Sequence, residues 1–354
     1  IRDRGGPGAI FWMWLTALFG MSTKYSEALL AVKYREKGPN GMRGGPMYYI
    51  AKGAGLPWLG SVFAVCTFLA AFGAGNMVQA NATASIFLNV FGIPTMWTGG
   101  ALAILAGLVI VGGIKSIGRF ASFFVPFMIL LYVGTVLFVL VIRFEEIPAA
   151  FSLIFSHAFN GHAATGGFVG ATLAAAIRFG VARGLFSNEA GLGSAPIVAA
   201  AAKTNDPVRQ ALVSMTGTFI DTIIVCTLTA LVILTTDVWT EGISAADLTA
   251  RSIAVTLGNT GATIVAVCSA LFAFSTLIGW SYYGEKAIEY LFGAQLVNFY
   301  KVIFSLLIFV GATMSLAFVW NFSDVMNGMM VIPNLIGILL LVKILKSETN
   351  RFFK

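Results

Sequence analysis

Residues 184–196 of the chain read Gly184-Leu185-Phe186-Ser187-Asn188-Glu189-Ala190-Gly191-Leu192-Gly193-Ser194-Ala195-Pro196. The stretch lies between apolar runs and combines polar side chains with three glycines and a proline. Glycine admits backbone conformations that a helix excludes, and proline is tolerated where a new helix begins. We therefore predict a single membrane span over residues 170–202 that is broken in its middle.

The composition around this stretch is that of a helical membrane protein. The 354 residues are 58% hydrophobic and 10% charged, and the mean hydropathy is +0.88. A membrane-spanning helix needs roughly 20 apolar residues, and about nine such segments can be placed. The alternation of a β-barrel is absent. We predict an all-α protein in the lipid bilayer, with one domain over residues 1–354.

The predicted spans cover most of the chain. They are residues 8–32, 58–90, 96–113, 120–142, 170–202 (broken), 208–235, 262–292, 297–315 and 319–345. A short interfacial helix is expected over residues 47–54, with Tyr48 and Tyr49 at the level of the lipid headgroups. Residues 240–255 form either an amphipathic cap or a plain linker.

The basic residues indicate the orientation of the bundle. Lys and Arg concentrate in cytoplasmic loops, and the loops of this chain alternate in charge if residues 170–202 form one span. We expect a cytoplasmic C-terminus and Ile1 outside. The net charge of +7 then reflects loop charge and does not indicate nucleic-acid binding.

Several classes of function are excluded. The three cysteines lie in apolar runs without a CxxC pair, and the two histidines, His157 and His162, are too few for a multi-histidine metal site. The common motifs of hydrolases, metalloproteases and nucleotide-binding proteins are missing. We predict that the protein is not an enzyme.

The break itself is the first candidate for chemistry. Asn188 is expected to cap the second half-helix, with Glu189 in its positive first turn. Exposed amides and carbonyls at such a break can bind an ionic substrate or a dehydrated cation, as in secondary transporters. The alternative is a kink whose backbone groups are satisfied by neighbouring helices.

Polar residues in two other spans are further candidates. Asn76 and Gln79 lie one turn apart and face either a cavity or another helix. Ser275 and Thr276 offer hydroxyl oxygens to a monovalent cation, although such hydroxyls usually bond to their own backbone. Trp280, on the face of Thr276, either walls a small pocket or packs in the core.

Four of the charged residues inside predicted spans are further candidates, because charge there is costly unless it is paired. Lys24 and Glu27 are expected to pair with each other or to lie near the cytoplasmic end of the first span. Asp221 and Asp324 lack a basic neighbour in the sequence. Each is either part of a proton relay or, as we favour, a buried carboxylate that joins helices through hydrogen bonds.

As a set, these motifs resemble the alanine or glycine:cation symporter family, which has the LeuT-type fold of five plus five inverted helices. The resemblance is carried by residues 5–14, 41–49, 78–81, 184–196, 219–222, 279–285 and 319–321. It implies sodium-coupled import of alanine or glycine, with protons as an occasional coupling ion, by alternating access in a prokaryotic inner membrane. A monomer is expected.

The resemblance also implies roles for individual residues. Gln79 would contact the substrate, Phe186 and Trp280 would limit its side chain, and the backbone from Ser187 to Gly191 would cradle it. The substrate-binding set that we predict is Asn76, Gln79, Phe186, Ser187, Asn188, Gly191 and Trp280. Ser275 and Thr276 would bind sodium.

One feature departs from the family pattern. The family's first core helix, with its Gly-Thr-Gly-Asn break, has no counterpart, and Ile1-Arg2-Asp3-Arg4 stands in its place. The chain would therefore be an N-terminally truncated fragment that holds core helices two to ten. Two other interpretations are an ion channel with a broken-helix selectivity element and an accessory membrane subunit that does not transport.

Overall fold

The computed structural model describes residues 6–39, 41–159, 169–243 and 245–354. Within these ranges the chain is almost entirely helical, with one short β-hairpin. The predicted class, an all-α membrane protein, is therefore confirmed.

The elements before the break belong to the described residues up to 159. They are α1 (Gly8–Lys33), β1 (Glu36–Gly38), β2 (Gly41–Arg43), α2 (Pro46–Tyr48), α3 (Pro57–Phe72), α4 (Val78–Phe91), α5 (Thr95–Val111), α6 (Gly113–Ile142) and α7 (Ile147–Phe159). The strands β1 and β2 form an antiparallel hairpin.

The remaining helices follow from residue 169. They are α8 (Val169–Asn188), α9 (Ala195–Ala199), α10 (Pro207–Thr218), α11 (Thr227–Thr235), α12 (Ala245–Phe292), α13 (Val297–Thr313), α14 (Leu316–Leu340) and α15 (Val342–Phe352).

Wide π-helical turns interrupt the regular helices at Tyr49–Gly53, Gly73–Met77 and Phe219–Cys226. The second turn joins α3 to α4 and the third joins α10 to α11, so that each pair forms one long helix. Such turns occur often at functional sites. Single 3₁₀ turns lie at Phe144–Glu146, Val238–Thr240 and Ala294–Leu296.

In the described part, six helices are long and apolar enough to cross a membrane. They are Pro57–Phe91, Gly113–Ile142, Pro207–Thr235, Asp247–Phe292, Ala294–Thr313 and Leu316–Leu340. The other predicted spans correspond to α1, the shorter apolar helix α5 and the broken segment. The protein is thus a multi-pass membrane protein.

Several boundaries differ from the predictions. α7 lies between two predicted spans, in a region for which we predicted no helix. Its 13 residues are too few to stand out as a span. Residues 245–257 are helical, in agreement with a cap, and the chain bends at Gly258, where φ is 63°. The last span was predicted over residues 319–345. The observed helix α14 ends earlier, at Leu340, and the amphipathic α15 follows as a separate helix.

The prediction for residues 47–54 is right about the helix and wrong about its place. Tyr48 is 3% exposed and Tyr49 is 0% exposed, so neither ring lies at the surface. The Tyr49 hydroxyl donates a hydrogen bond to Asn334 in α14, and the Tyr48 ring packs edge-on against Tyr290 in α12. Residues 46–50 are buried because the segment packs against α1, α3 and α14.

The packing places the break next to two long helices. α1 packs against α7, α8 and α10, and it also contacts α9. On the other side, α12 packs against α3, α4 and α6 and reaches α9. The interval between α8 and α9 is therefore enclosed by α1 and α12.

Candidate functional site

The predicted break is present and lies between α8 and α9. The first helix ends at Asn188 and the second begins at Ala195. Between them the backbone is left-handed at Glu189 (φ 56°), Gly191 (φ 90°) and Gly193 (φ 78°). Pro196 occupies the first turn of α9, where its missing N–H leaves no helical hydrogen bond unmade.

The roles that we predicted for two side chains at the break are wrong. Asn188 ends α8, and its Oδ1 accepts a hydrogen bond from the Ala190 N–H at 3.0 Å; residue 194 precedes α9. Glu189 lies before this helix, and its carboxylate accepts hydrogen bonds from Ser194 Oγ and Trp280 Nε1, each at 2.8 Å. The glycines that follow Asn188 delay the start of α9.

The α1 helix contributes two charged groups to the break. Glu27, fully buried, accepts hydrogen bonds at Oε1 from the N–H groups of Gly191 (3.0 Å) and Gly193 (3.1 Å). Lys24 donates to the Asn188 carbonyl at 2.7 Å. No ion pair joins Lys24 to Glu27 in the described residues, which corrects the first of the two alternatives that we gave for them. Each side chain instead binds the broken backbone, while Glu27 Oε2 is buried without a hydrogen-bond partner in the described part of the chain.

Asn334 in α14 is a part of the site that the sequence analysis missed. Its Nδ2 donates to the Gly191 carbonyl at 2.8 Å and to Glu27 Oε1, and its Oδ1 accepts from Tyr49. Asn334 is fully buried. The available signal was an asparagine directly after Pro333 in an apolar run, where a polar group needs a partner.

Trp280 closes one side of the break. Its indole N–H binds Glu189, and its ring packs edge-on against Tyr283 with 5.2 Å between centroids. Gly75 lies against it so closely that a methyl group at position 75 would stand 2.1 Å from the Trp280 Cβ. A hydrogen bond thus fixes one edge of the indole, and the backbone of Gly75, which has no side chain, packs directly against Trp280.

Gln79 lies in a cavity of about 350 Å³ that also contains Asp221. Asp221 in turn accepts a hydrogen bond from Ser187 in the last turn of α8. The polar side chains of Gln79, Asp221 and Ser187 therefore connect the cavity with the last turn of α8 before the break. The hydrogen bonds of Asp221 agree with the carboxylate role that we favoured from the sequence.

Other predicted residues lie apart from this group. Asn76 is fully buried and donates to the Phe304 carbonyl of α13 at 2.7 Å, which matches the interhelical alternative. Ser275 and Thr276 donate to the Phe272 carbonyl at 2.8 and 3.0 Å, as hydroxyls in membrane helices often do. Their roles in binding remain predictions.

A second aromatic group lies between α8 and α14. The Phe186 ring packs against Trp320 with 5.0 Å between centroids, and Arg183 lies 4.6 Å from the Trp320 ring centroid. Arg183 also binds both oxygens of Asp324, at 2.8 and 2.6 Å. Asp324 is therefore paired, and its side chain is 44% exposed, whereas we predicted a buried carboxylate.

The described residues hold no group of three or more His, Cys, Asp or Glu side chains that could bind a metal. His157 Nδ1 lies 2.8 Å from the Leu153 carbonyl oxygen in α7, and His162 lies outside the described residues. Cys66, Cys226 and Cys268 are free thiols.

A bundle of membrane helices around a broken helix with polar groups defines the class of secondary transporters. A profile of the Sodium:alanine symporter family matches residues 3–354. The chain belongs to this family and is a sodium-coupled amino-acid symporter; it is not an enzyme.

Named relatives agree with this membership. The chain is 52% identical to the Sodium/alanine symporter AgcS of Methanococcus maripaludis, over 98% of this chain and 78% of the relative. It is 49% identical to an uncharacterized transporter of Haemophilus influenzae, over 99% and 78%. The Probable sodium/glutamine symporter GlnT of Bacillus subtilis is 40% identical, over 96% and 71%.

Proposed function

We propose that the protein imports alanine or glycine together with sodium across the cytoplasmic membrane by alternating access. The observation that carries the preference for a small substrate is the placement of Trp280. The ring is 4% exposed, is tethered to Glu189 in the break and lies directly against Gly75. An indole fixed in this way would act as a rigid wall that accepts only a short substrate side chain.

The more similar named relative supports a small substrate, because a sodium/alanine symporter shares 52% of the aligned residues. A relative at 40% identity bears the name of a glutamine symporter, whose substrate has a longer side chain. Because a hydrophobic wall distinguishes side chains by about 1–3 kcal/mol per methylene, the position of one ring can separate alanine from larger amino acids.

The proposed site combines groups from three regions. The backbone from Ser187 to Gly191 cradles the substrate, Gln79 contacts it through its amide, and Phe186 and Trp280 limit its size. Sodium would bind at the hydroxyls of Ser275 and Thr276 after these turn from the Phe272 carbonyl.

The arrangement of the bundle is part of the proposal. We infer the LeuT-type five-plus-five fold, with this chain as a single transporter domain of about nine spans. The C-terminus is cytoplasmic, and the protein works as a monomer in the inner membrane.

Uptake of labelled alanine into proteoliposomes that contain the full-length protein tests the function. With an inward sodium gradient, uptake should saturate and unlabelled alanine or glycine should compete. Replacing sodium with choline should abolish uptake. Uptake that follows a pH gradient without sodium would identify the proton as the coupling ion, and competition by glutamine in preference to alanine and glycine would contradict the small-substrate assignment.

A further inference from the structure

Two π-helical turns meet at the cavity that contains Gln79. The turn Gly73–Met77 ends two residues before Gln79, and the turn Phe219–Cys226 contains Asp221. Both side chains line the same cavity of about 350 Å³. A π-helical turn inserts an extra residue into a helix and is often retained at functional sites. The two turns thus place an amide and a carboxylate opposite each other within the membrane part of the bundle.

Two polar groups of the cavity, at Asp221 and Gln79, present acceptor oxygens. Asp221 Oδ2 accepts hydrogen bonds from Ser187 and from Thr222, the latter at 3.1 Å. Gln79 uses its Nε2 to donate to the Ala74 carbonyl at 3.1 Å, which leaves its oxygen for another partner. Oxygen acceptors around one carboxylate suit a cationic group.

The charge of Asp221 has no ionic partner among the described residues. None of the ion pairs found there includes it. The ammonium group of Lys24 attracts Asp221 from beyond ion-pair distance and is bound to the Asn188 carbonyl. An unpaired carboxylate within a membrane bundle is costly. The cost is offset when a cation occupies the cavity.

The number of charges selects the valence of that cation. One carboxylate neutralises one positive charge, and the described residues contain no cluster of acidic, histidine or cysteine side chains for a divalent or transition metal. Hydroxyl, amide and carboxylate oxygens bind sodium and ammonium groups alike.

We propose that Asp221 supplies the fixed negative charge of a monovalent-cation site in this cavity, with Gln79 as a neutral oxygen ligand and Ser187 as the residue that orients the carboxylate. The cation is either sodium or the ammonium group of the amino acid. The site is separate from the hydroxyls of Ser275 and Thr276, and the inference rests on the proposed function as a sodium-coupled symporter.

A purely structural role for Asp221 leads to a different expectation. In that case the carboxylate only accepts the Ser187 hydrogen bond and holds α8 to the helix formed by α10 and α11. The variant Asp221→Asn separates the two roles, because an asparagine oxygen accepts the same hydrogen bond but carries no charge. Asp237→Asn is the matched control: Asp237 is exposed and has φ of 55°, a conformation that asparagine tolerates.

The experiment measures binding of labelled alanine and of radioactive sodium to the purified full-length protein and its variants. Asp221→Asn should weaken one of the two affinities tenfold or more, while Asp237→Asn leaves both unchanged. A loss confined to sodium affinity identifies sodium as the occupant. A loss of alanine affinity at saturating sodium identifies the ammonium group.

Unchanged affinities in a folded Asp221→Asn protein would overturn the proposal. If this variant does not fold, Asp221→Glu takes its place; its carboxylate is displaced by one methylene and should shift the same affinity threefold or more, and no shift is again a refutation. A parent protein that binds neither alanine nor sodium would instead refute the proposed function, so the two failures are distinguishable.

Discussion

Glu27 and Asn334 show how single side chains give the break its shape. Glu27 Oε1 accepts two backbone N–H groups of the break and the Asn334 amide, and Asn334 also binds the Gly191 carbonyl. Hydrogen bonds to a charged group contribute about 1.5–3 kcal/mol each. The broken backbone is therefore held by α1 and α14.

Replacement of Trp280 by alanine should widen the range of substrates. In the proposed site the indole limits the size of the substrate, so its removal should let larger amino acids compete with labelled alanine in uptake assays. Because loss of a buried tryptophan costs about 3–5 kcal/mol of stability, uptake is normalised to folded protein. Trp58→Ala, at a ring that is 64% exposed, is the control. A competition profile identical to that of the parent would exclude the wall role.

The change Gln79→Ala should weaken alanine uptake. A hydrogen bond to a charged substrate group contributes about 1.5–3 kcal/mol, so the apparent affinity should fall by about tenfold or more. The amount of protein in the membrane should stay near that of the parent, because the Gln79 side chain lines a cavity. An unchanged apparent affinity would remove Gln79 from the site.

At the scale of elements, the interval between α8 and α9 depends on glycine. Gly193 has φ of 78°, and a methyl group there would lie 2.6 Å from Pro46 Cγ and 2.8 Å from the Phe63 ring. Left-handed backbone costs other residues about 1–2 kcal/mol. Three elements, α2, α3 and the break, meet at this point and leave no room for a side chain at position 193.

Gly193→Ala should accordingly lower the thermal stability of the protein and abolish uptake. Gly100→Ala in α5 is the matched control, since nothing lies within 4 Å of a methyl group there and alanine favours a helix by about 1 kcal/mol. Melting temperatures in detergent and uptake assays check both variants. A Gly193→Ala protein as stable and active as Gly100→Ala would contradict the close packing.

The docking of α15 should depend on pH. A hydrogen bond from Lys33 at 2.6 Å holds the pKa of Glu348 below its ordinary value of 4.5. The ionised Glu348 carboxylate stabilises the docking of α15 at pH values above its ordinary pKa. This stabilisation is lost as the pH falls through the lowered pKa. Hydrogen exchange of residues 342–352, corrected for intrinsic rates, should therefore rise below pH 4.5. Glu348→Gln should exchange rapidly at neutral pH as well; exchange equal to that of the parent would show that the ion pair does not hold the helix.

At the scale of the whole molecule, charge is concentrated where the hairpin meets α12. Lys286 is fully buried and binds Glu289 at 2.6 Å, while Glu285 accepts from Lys301 at 3.0 Å. Arg43 of β2 reaches Glu289 at 3.6 Å. This network fastens the loop after α1 to α12 and α13 at one end of the bundle, the end that loop charge assigns to the cytoplasm.

Labelling with a membrane-impermeant maleimide tests this orientation. Asp237→Cys, in an exposed loop, should react in intact cells, whereas Arg351→Cys, whose native side chain is 78% exposed, should react only after lysis. The parent protein is labelled in parallel, because Cys226 is only partly buried, whereas Cys66 and Cys268 are buried. The reverse labelling pattern would invert the proposed topology.

The sequence alone determined the class of protein, the approximate spans and the place of the break. Apolar runs of spanning length can only be helices in lipid, and glycines with a proline interrupt a helix wherever it packs. The tertiary structure decided the partners: Glu27 and Lys24 bind the broken backbone, Asn334 closes it, and Asp221 shares a cavity with Gln79. These residues are separated by up to 307 positions in the chain. Local periodicity carries no information on such contacts, because they depend on how whole helices pack.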